Sequence, residues 1–423
     1  MRTIIALLLL GNVCFAQNNK FIVDALVNPK TKASVITVGG VNSDIQGYTN
    51  EAIQRAVDAL PPAGGTIKMD PGQYKIMAPV RLPSNSRLIG SGPETILKRI
   101  DGFHSKFIVD ADFGELKLTV ADASGFSVGM SMQVTTDVSS SCWDVTTGVI
   151  TDIVGNIIYI DTHLIRDYEY EQNGMVTNAG SCVSVFGVQN VYISNFTIDG
   201  NKAKNDLLDG CNGGGVAIIK SKDVTVENVH VKDFNGEGIT WQITENVTVR
   251  NCEINGCTNM GMHPGTGSPN SLIEGNNSHD NRVGLFLCWR VQHSIVSGNQ
   301  LHHNKEMGIS TGHKDSDVLF DGNHIFENGG DGVYFRDEDQ QNSPHRNTFS
   351  NNTIENNGTI NGGYGFLFSG QALDVVVKDN TIRDTKTGTQ KAAIYTTKNT
   401  PAVKEENNKM SGHALGNIVQ EKK

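Results

Sequence analysis

A repeat runs through the second half of this 423-residue chain, and few folds can accommodate it. Asparagine recurs at Asn228, Asn251, Asn276, Asn299, Asn323, Asn352 and Asn380, at steps of 23, 25, 23, 24, 29 and 28 residues. A second asparagine follows at Asn281, Asn304, Asn328 and Asn357, and a glycine opens the next segment at Gly238, Gly261, Gly284, Gly308, Gly332 and Gly365. After three of these glycines the first and third residues are Leu285/Leu287, Ile309/Thr311 and Val333/Phe335. That alternation marks strands with one buried face. A period in the low twenties, with several short strands in each, marks a solenoid. Leucine-rich repeats share the period, but their consensus is absent. The reading is an all-β chain, a right-handed parallel β-helix whose coils rise by ~4.8 Å. Its turn asparagines should stack into side-chain ladders.

Composition agrees, with 46 glycines against 11 prolines. A net charge of −10 argues against nucleic acid as a partner. It leaves room for a local basic cluster that meets an anionic ligand. Residues 1–16 read as a signal peptide, with Arg2, the apolar run Ile4–Leu10 and a small-residue site ending at Ala16. Secretion is therefore expected, and membrane insertion is not, since no later stretch is long and apolar enough. Cys142, Cys182, Cys211, Cys252, Cys257 and Cys288 remain, as disulfides or as buried thiols.

Residues 17–100 read as an N-terminal cap with the first coils. Within them, a helix over Asn50–Leu60 turns Ile53, Ala56, Val57 and Leu60 to one face, capped by Asn50 or Thr49. The stretch from Val38 to Thr95 resembles the opening of the pectate-lyase-like, rhamnogalacturonase/epimerase-type β-helix families. Gly64, Gly65, Thr66, Pro71, Gly72 and Tyr74 carry the match, while Asp70 departs from the pattern. The resemblance implies the fold and names no chemistry. Residues 101–178 read as a small antiparallel insertion whose tail, Arg166–Glu171, is a solvated connector. Residues 179–400 form the main β-helix, and 401–423 a polar tail.

Stacked coils place equal offsets from the glycine in vertical columns. The outward column at +2 holds Thr240, His263, Phe286, Ser310, Tyr334 and Leu367. Beyond the strands lie Trp289, Arg290, His313, Lys314, Arg336, Asp337 and Glu338, with Asp315 beside Asp339. Glu237 and Trp241 are expected to mark the end of this groove. Segments such as GMHPGTGS and GHKDSD also resemble exported bacterial β-helix proteins of no stated substrate.

Acids, bases and aromatics gathered on one face point to a polysaccharide site, since aromatic rings suit half-polar sugars. The basic members favour an anionic, uronate-containing polymer cleaved by β-elimination, with Lys314 as base and Arg336 as carboxylate clamp. This is similar to the Lys/Arg arrangement of β-helix lyases of the alginate and chondroitin type. His313, Asp315, Asp337 and Glu338 complete the catalytic set. Trp289, Arg290, His263, Tyr334, Phe286, Glu237 and Trp241 would hold substrate. Asp315, Asp317 and Asp339 are the candidate ligands for Ca²⁺. Two alternatives stay open. One is a glycoside hydrolase using paired carboxylates on the same face, although the NTD and GHG motifs of β-helix polygalacturonases are absent. The other is a non-catalytic adhesin or tailspike-like glycan binder.

Overall fold

The computed structural model describes residues 34–139, 143–386 and 388–422. The signal peptide expected at 1–16 lies outside them. Among the described residues, no helix is long and apolar enough to cross a membrane.

A parallel β-helix runs from Ser34 to Gln420, built as a 22-stranded sheet facing an 11-stranded sheet. The glycine-led segments form the second sheet. Its strands pair coil to coil in parallel register: Ile239 with Met262, Leu285 with Ile309, Val333 with Phe366. Leu285, Leu287, Ile309, Thr311, Val333 and Phe335 all point inward and are fully buried, as the alternation requires. Inside the coils, Phe320 stacks on Phe349 with centroids 4.2 Å apart. The leading glycines are needed where the chain crosses the ladder. A Cβ on Gly284 would sit 2.8 Å from both Asn304 Nδ2 and the Gly308 carbonyl.

Side-chain amides form the expected ladders. Asn276 donates to Asn299, Asn299 to Asn323, Asn323 to Asn352 and Asn352 to Asn380, each at 2.9 Å. A second ladder joins Asn304, Asn328 and Asn357 and ends on Gln390. Asn228 and Asn251 stand outside, one residue early. The buried Cys252 holds the ladder position, its N–H bonded to Asn276 Oδ1. Asn228 and Asn251 instead share a left-handed turn column with Gly275, Gly298, Gly322 and Asn351, all at φ between 52° and 63°. Asparagine and glycine alternate there because both tolerate that conformation.

The helix Asn50–Asp58 packs over the open end of the first coils, burying Ile53, Ala56 and Val57. Thr49 is the cap, accepting the Ala52 N–H, while Asn50 Oδ1 accepts from Met77. The motif glycines have physical work here. Gly72, at φ 145°, leaves 2.3 Å between an added Cβ and the Tyr48 ring. Asp70, the departure from the family pattern, accepts the Gly40 N–H and the Ser43 hydroxyl.

The insertion is a six-stranded antiparallel sheet spanning His104–Thr177. The C-terminal residues correct the expectation of a tail. Lys404–Glu406, Lys409–Ser411 and Ile418–Gln420 pair in parallel with the preceding coil and close one more turn.

Candidate functional site

The outward +2 column forms as the spacing requires: Thr240 faces His263, and Phe286, Ser310, Tyr334 and Leu367 follow in register. A parallel column at +4 runs through Phe186, Ile219, Gln242, Gly265 and Cys288. Its first members open into a cleft of about 620 Å³ between the sheet and the insertion, walled by Trp143, Val145, Ile165 and Leu208. Phe186 and Trp143 are exposed at 59% and 46%. The insertion therefore forms a wall of the groove, which the sequence alone does not signal. Its tail stays out of the cleft, with Tyr168 buried and bonded to Thr146.

Glu237 and His263 lie at the centre of this surface, covered by the loop that carries Asp209 and Gly210. His263 Nδ1 is 2.6 Å from Glu237 Oε2, and both side chains are about 97% buried. Burial alone would lower the imidazole, but the Glu237 carboxylate and the Cys288 thiol outweigh it and raise it to about 10. Its Nε2 is buried with no partner in hydrogen-bond geometry. Trp241, expected on the surface, is the correction: at offset +3 it points inward, fully buried, and donates to Ser271.

Arg336 lies over the Phe286 ring at 4.5 Å, and His263 meets that ring in a T-shaped contact at 5.4 Å. The guanidinium donates to Ser310 Oγ at 3.0 Å, the Leu287 carbonyl at 2.8 Å and Asp315 Oδ2 at 3.3 Å. Asp315 is fully buried and staples the turn, accepting the Val291 and Gly312 N–H groups. Burial pushes its carboxyl up to about 7 against the pull of Arg336 and those donors. Next to this pair, His313 Nδ1 is 3.5 Å from Glu338, and the His313 ring lies 4.9 Å from Trp289, which is 46% exposed. Lys314 and Arg290 sit on left-handed turn residues at φ 61° and 67°. Tyr334 is half-buried in the +2 column, and Asp337 is exposed.

The offsets beyond +4 do not carry over between the coils led by Gly308 and Gly332. The ladder step from Asn299 to Asn323 is 24 residues, but that from Asn323 to Asn352 is 29. The extra residues leave the coil after Arg336. Lys314 consequently pairs with Asn342 through its N–H, and Asp317 with His345. Asp339 is displaced from the level of Asp315 and holds Asn342 instead. Asp317 is engaged with Arg346 by two bonds of 2.7 Å. The three carboxylates expected to bind Ca²⁺ thus have other partners, and among the described residues no group of three or more acids, histidines or cysteines is placed to hold a metal. The carboxylate pairs considered for hydrolysis lose their alignment for the same reason.

Sequence reasoning passed over Cys288 and Gln242. Their signal was the +4 column, where Cys288 falls between Gly265 and Gly312. Cys182, Cys252, Cys257 and Cys288 are free thiols, whereas Cys211 is disulfide-bonded.

Comparison with known proteins agrees with this architecture. The family described as right handed beta helix region matches residues 138–290, 181–349 and 266–410. No curated protein sequence matches the chain. Among solved structures, the A-module of mannuronan C-5 epimerase AlgE4 from Azotobacter vinelandii is similar at 16% identity. It covers 87% of this chain and 92% of its own, with a TM-score of 0.53. ORF18 of Geobacillus virus E2 is similar at 13% identity, covering 94% of this chain and 64% of its own, with a TM-score of 0.53. At these identities the likeness is one of fold.

Proposed function

The chain belongs to the right-handed β-helix family, and from that premise we propose that it is an exported enzyme cleaving a uronate-containing polysaccharide by β-elimination. The observation that carries this reading is the gathering of cations and rings on one face of an acidic protein. Arg336 and the His263 imidazolium flank Phe286, and Lys314 lies on the turn beside His313 and the exposed Trp289. A mannuronan C-5 epimerase shares the fold, which supports a polysaccharide as the substrate class.

Elimination needs a base for the proton α to the carboxylate and positive charge for the enolate that forms. Lys314 is the proposed base, acting through its neutral amine; among the described residues no ion pair engages that nitrogen. Arg336 is the proposed carboxylate clamp, held in place by Ser310 and Asp315 and still partly exposed. Trp289 and the exposed aromatics of the cleft would stack on sugar rings.

The test is incubation with a panel of uronate polymers while ultraviolet absorbance of the unsaturated product is followed. Absorbance should rise with the wild-type protein. Lys314→Ala should lose roughly 10²- to 10⁴-fold in rate with an unchanged circular dichroism spectrum. Full turnover by that variant would remove Lys314 from the mechanism. A second reading, glycan binding without turnover, is favoured by the exposed Trp289, Trp143 and Phe186. Saturable binding with neither absorbance nor new reducing ends would establish it.

A further inference from the structure

We propose that Cys288, His263 and Glu237 form a second reactive centre, a thiolate–imidazolium pair that transfers acyl groups from ester substituents of a glycan. The three residues come from consecutive coils. His263 faces Phe286 in the sheet register, and Gly265 bridges to Cys288. The Cys288 N–H donates to the Pro264 carbonyl at 2.9 Å. Cys288 is therefore the diagonal neighbour of His263 on the same outward face, one coil on and two residues further along.

The hydrogen bonding of the histidine indicates what its free side is for. Nδ1 is committed to Glu237 at 2.6 Å, so Nε2 is the remaining polar atom, and it is buried without a hydrogen-bond partner. A buried polar group left without a partner is destabilising, so its retention calls for a reason. Cys288, the diagonal neighbour in the register, acts with Glu237 to raise the imidazole. A second orphan lies alongside: Gln242 Oε1 is also buried and unpartnered, and its amide fills the space that a Cβ on Gly265 would take. On the far side, the Arg336 guanidinium fills the space over Gly312. Cys288 thus stands between two glycines in its column, with the Gln242 amide over one and the Arg336 guanidinium over the other.

A core thiol is the plain alternative, and three other cysteines show what that looks like. Cys182, Cys252 and Cys257 are fully buried, and burial pushes their thiols up to about 12. Cys288 is the one free thiol among the described residues that is partly exposed. The charged groups around the pair are Glu237, Asp209 on the covering loop, whose carboxyl burial raises, and Arg336 beyond Phe286. Glu237 keeps the imidazole protonated at neutral pH, and a cationic imidazole beside a sulfur is the setting in which the proposed step runs through a thiolate.

In the proposed step, Sγ attacks the ester carbonyl carbon, and Nε2–H passes its proton to the sugar oxygen as the C–O bond breaks. The resulting thioester is attacked by water, whose proton returns to Nε2, and the carboxylic acid and thiolate are released. Ester and water become alcohol and acid, with no other reactant. Glycan esters are chosen because they are the reactive carbonyls that a polysaccharide offers a thiolate. That choice rests on the glycan reading above, whereas the thiolate does not.

Alkylation by iodoacetamide, followed at Cys288 by mass spectrometry, tests the thiolate. The wild-type rate should change less than about threefold between roughly pH 6 and 9, as for a thiol held ionised. In Glu237→Gln and His263→Asn it should climb about tenfold per pH unit toward an ordinary thiol pKa of about 8.5. A wild-type profile that follows the ordinary thiol curve overturns the proposal, whatever the variants do. Acetate release from acetylated glycans, lost in Cys288→Ser, is the expected result for acyl transfer. A flat alkylation profile without acetate release from any acylated glycan would overturn that half. Failure of the elimination assay with a flat profile would sink the proposed function and leave the thiolate standing.

Discussion

At the scale of single residues, burial decides more than chemical type. His263 was legible as an outward member of a column and Glu237 as marking the end of the groove, but their burial was not, because the covering loop at Asp209–Gly210 belongs to a non-repeating stretch of the preceding coil. Their coupling has a thermodynamic consequence. The imidazole is raised from 6.5 to about 10, so between those values the folded protein binds a proton that the unfolded chain releases. Stability from this pair is complete below about pH 6.5 and is lost as pH rises toward 10. Thermal melts across that window should show the decline in the wild type and a flatter profile in Glu237→Gln. An equal decline in both would show that the pair is not its source. Trp241 illustrates the opposite error: aromatic type suggested a sugar platform, whereas the strand period already placed it inward.

At the scale of the coil, the repeat was readable because glycine and asparagine sit where geometry excludes most alternatives. Asn323 shows why. Its amide donates to the Val296 carbonyl and to Asn352, and its oxygen accepts the Asn299 N–H and amide. Asn323→Ala would leave several of these buried groups unpaired, and a loss of about 3 kcal/mol is expected by chemical denaturation. A change within about 0.5 kcal/mol would mean that water replaces the ladder. What the repeat concealed was its own irregularity. The 29-residue step is visible in the spacing, yet only the structure shows that the surplus leaves after Arg336. That displacement separates Asp339 from Asp315 and removes the carboxylate alignments on which a calcium site or a hydrolytic pair depended.

For the molecule as a whole, the solenoid was legible from the period and the capping motif, while the cleft was not. Its walls come from the insertion, which has no repeat of its own, and from the first coils, so no periodic signal links them. The end of the chain was also misjudged. Residues 401–422 read as polar, and yet their strands pair with the coil before. Deleting 401–423 should uncover Val377, Ile382 and Ile394, lower the melting temperature and promote self-association through open strand edges. An unchanged melting curve and a monodisperse monomer by light scattering would deny the last coil that role.

In the proposed function, an anionic glycan lies along the outward columns between Phe186 and Arg336. A crystal structure of Lys314→Ala soaked with an oligouronate measures this most directly. Sugar rings should lie against Trp289, with a carboxylate within hydrogen-bond distance of Arg336. An oligosaccharide bound on the opposite sheet, with these columns empty, would contradict it.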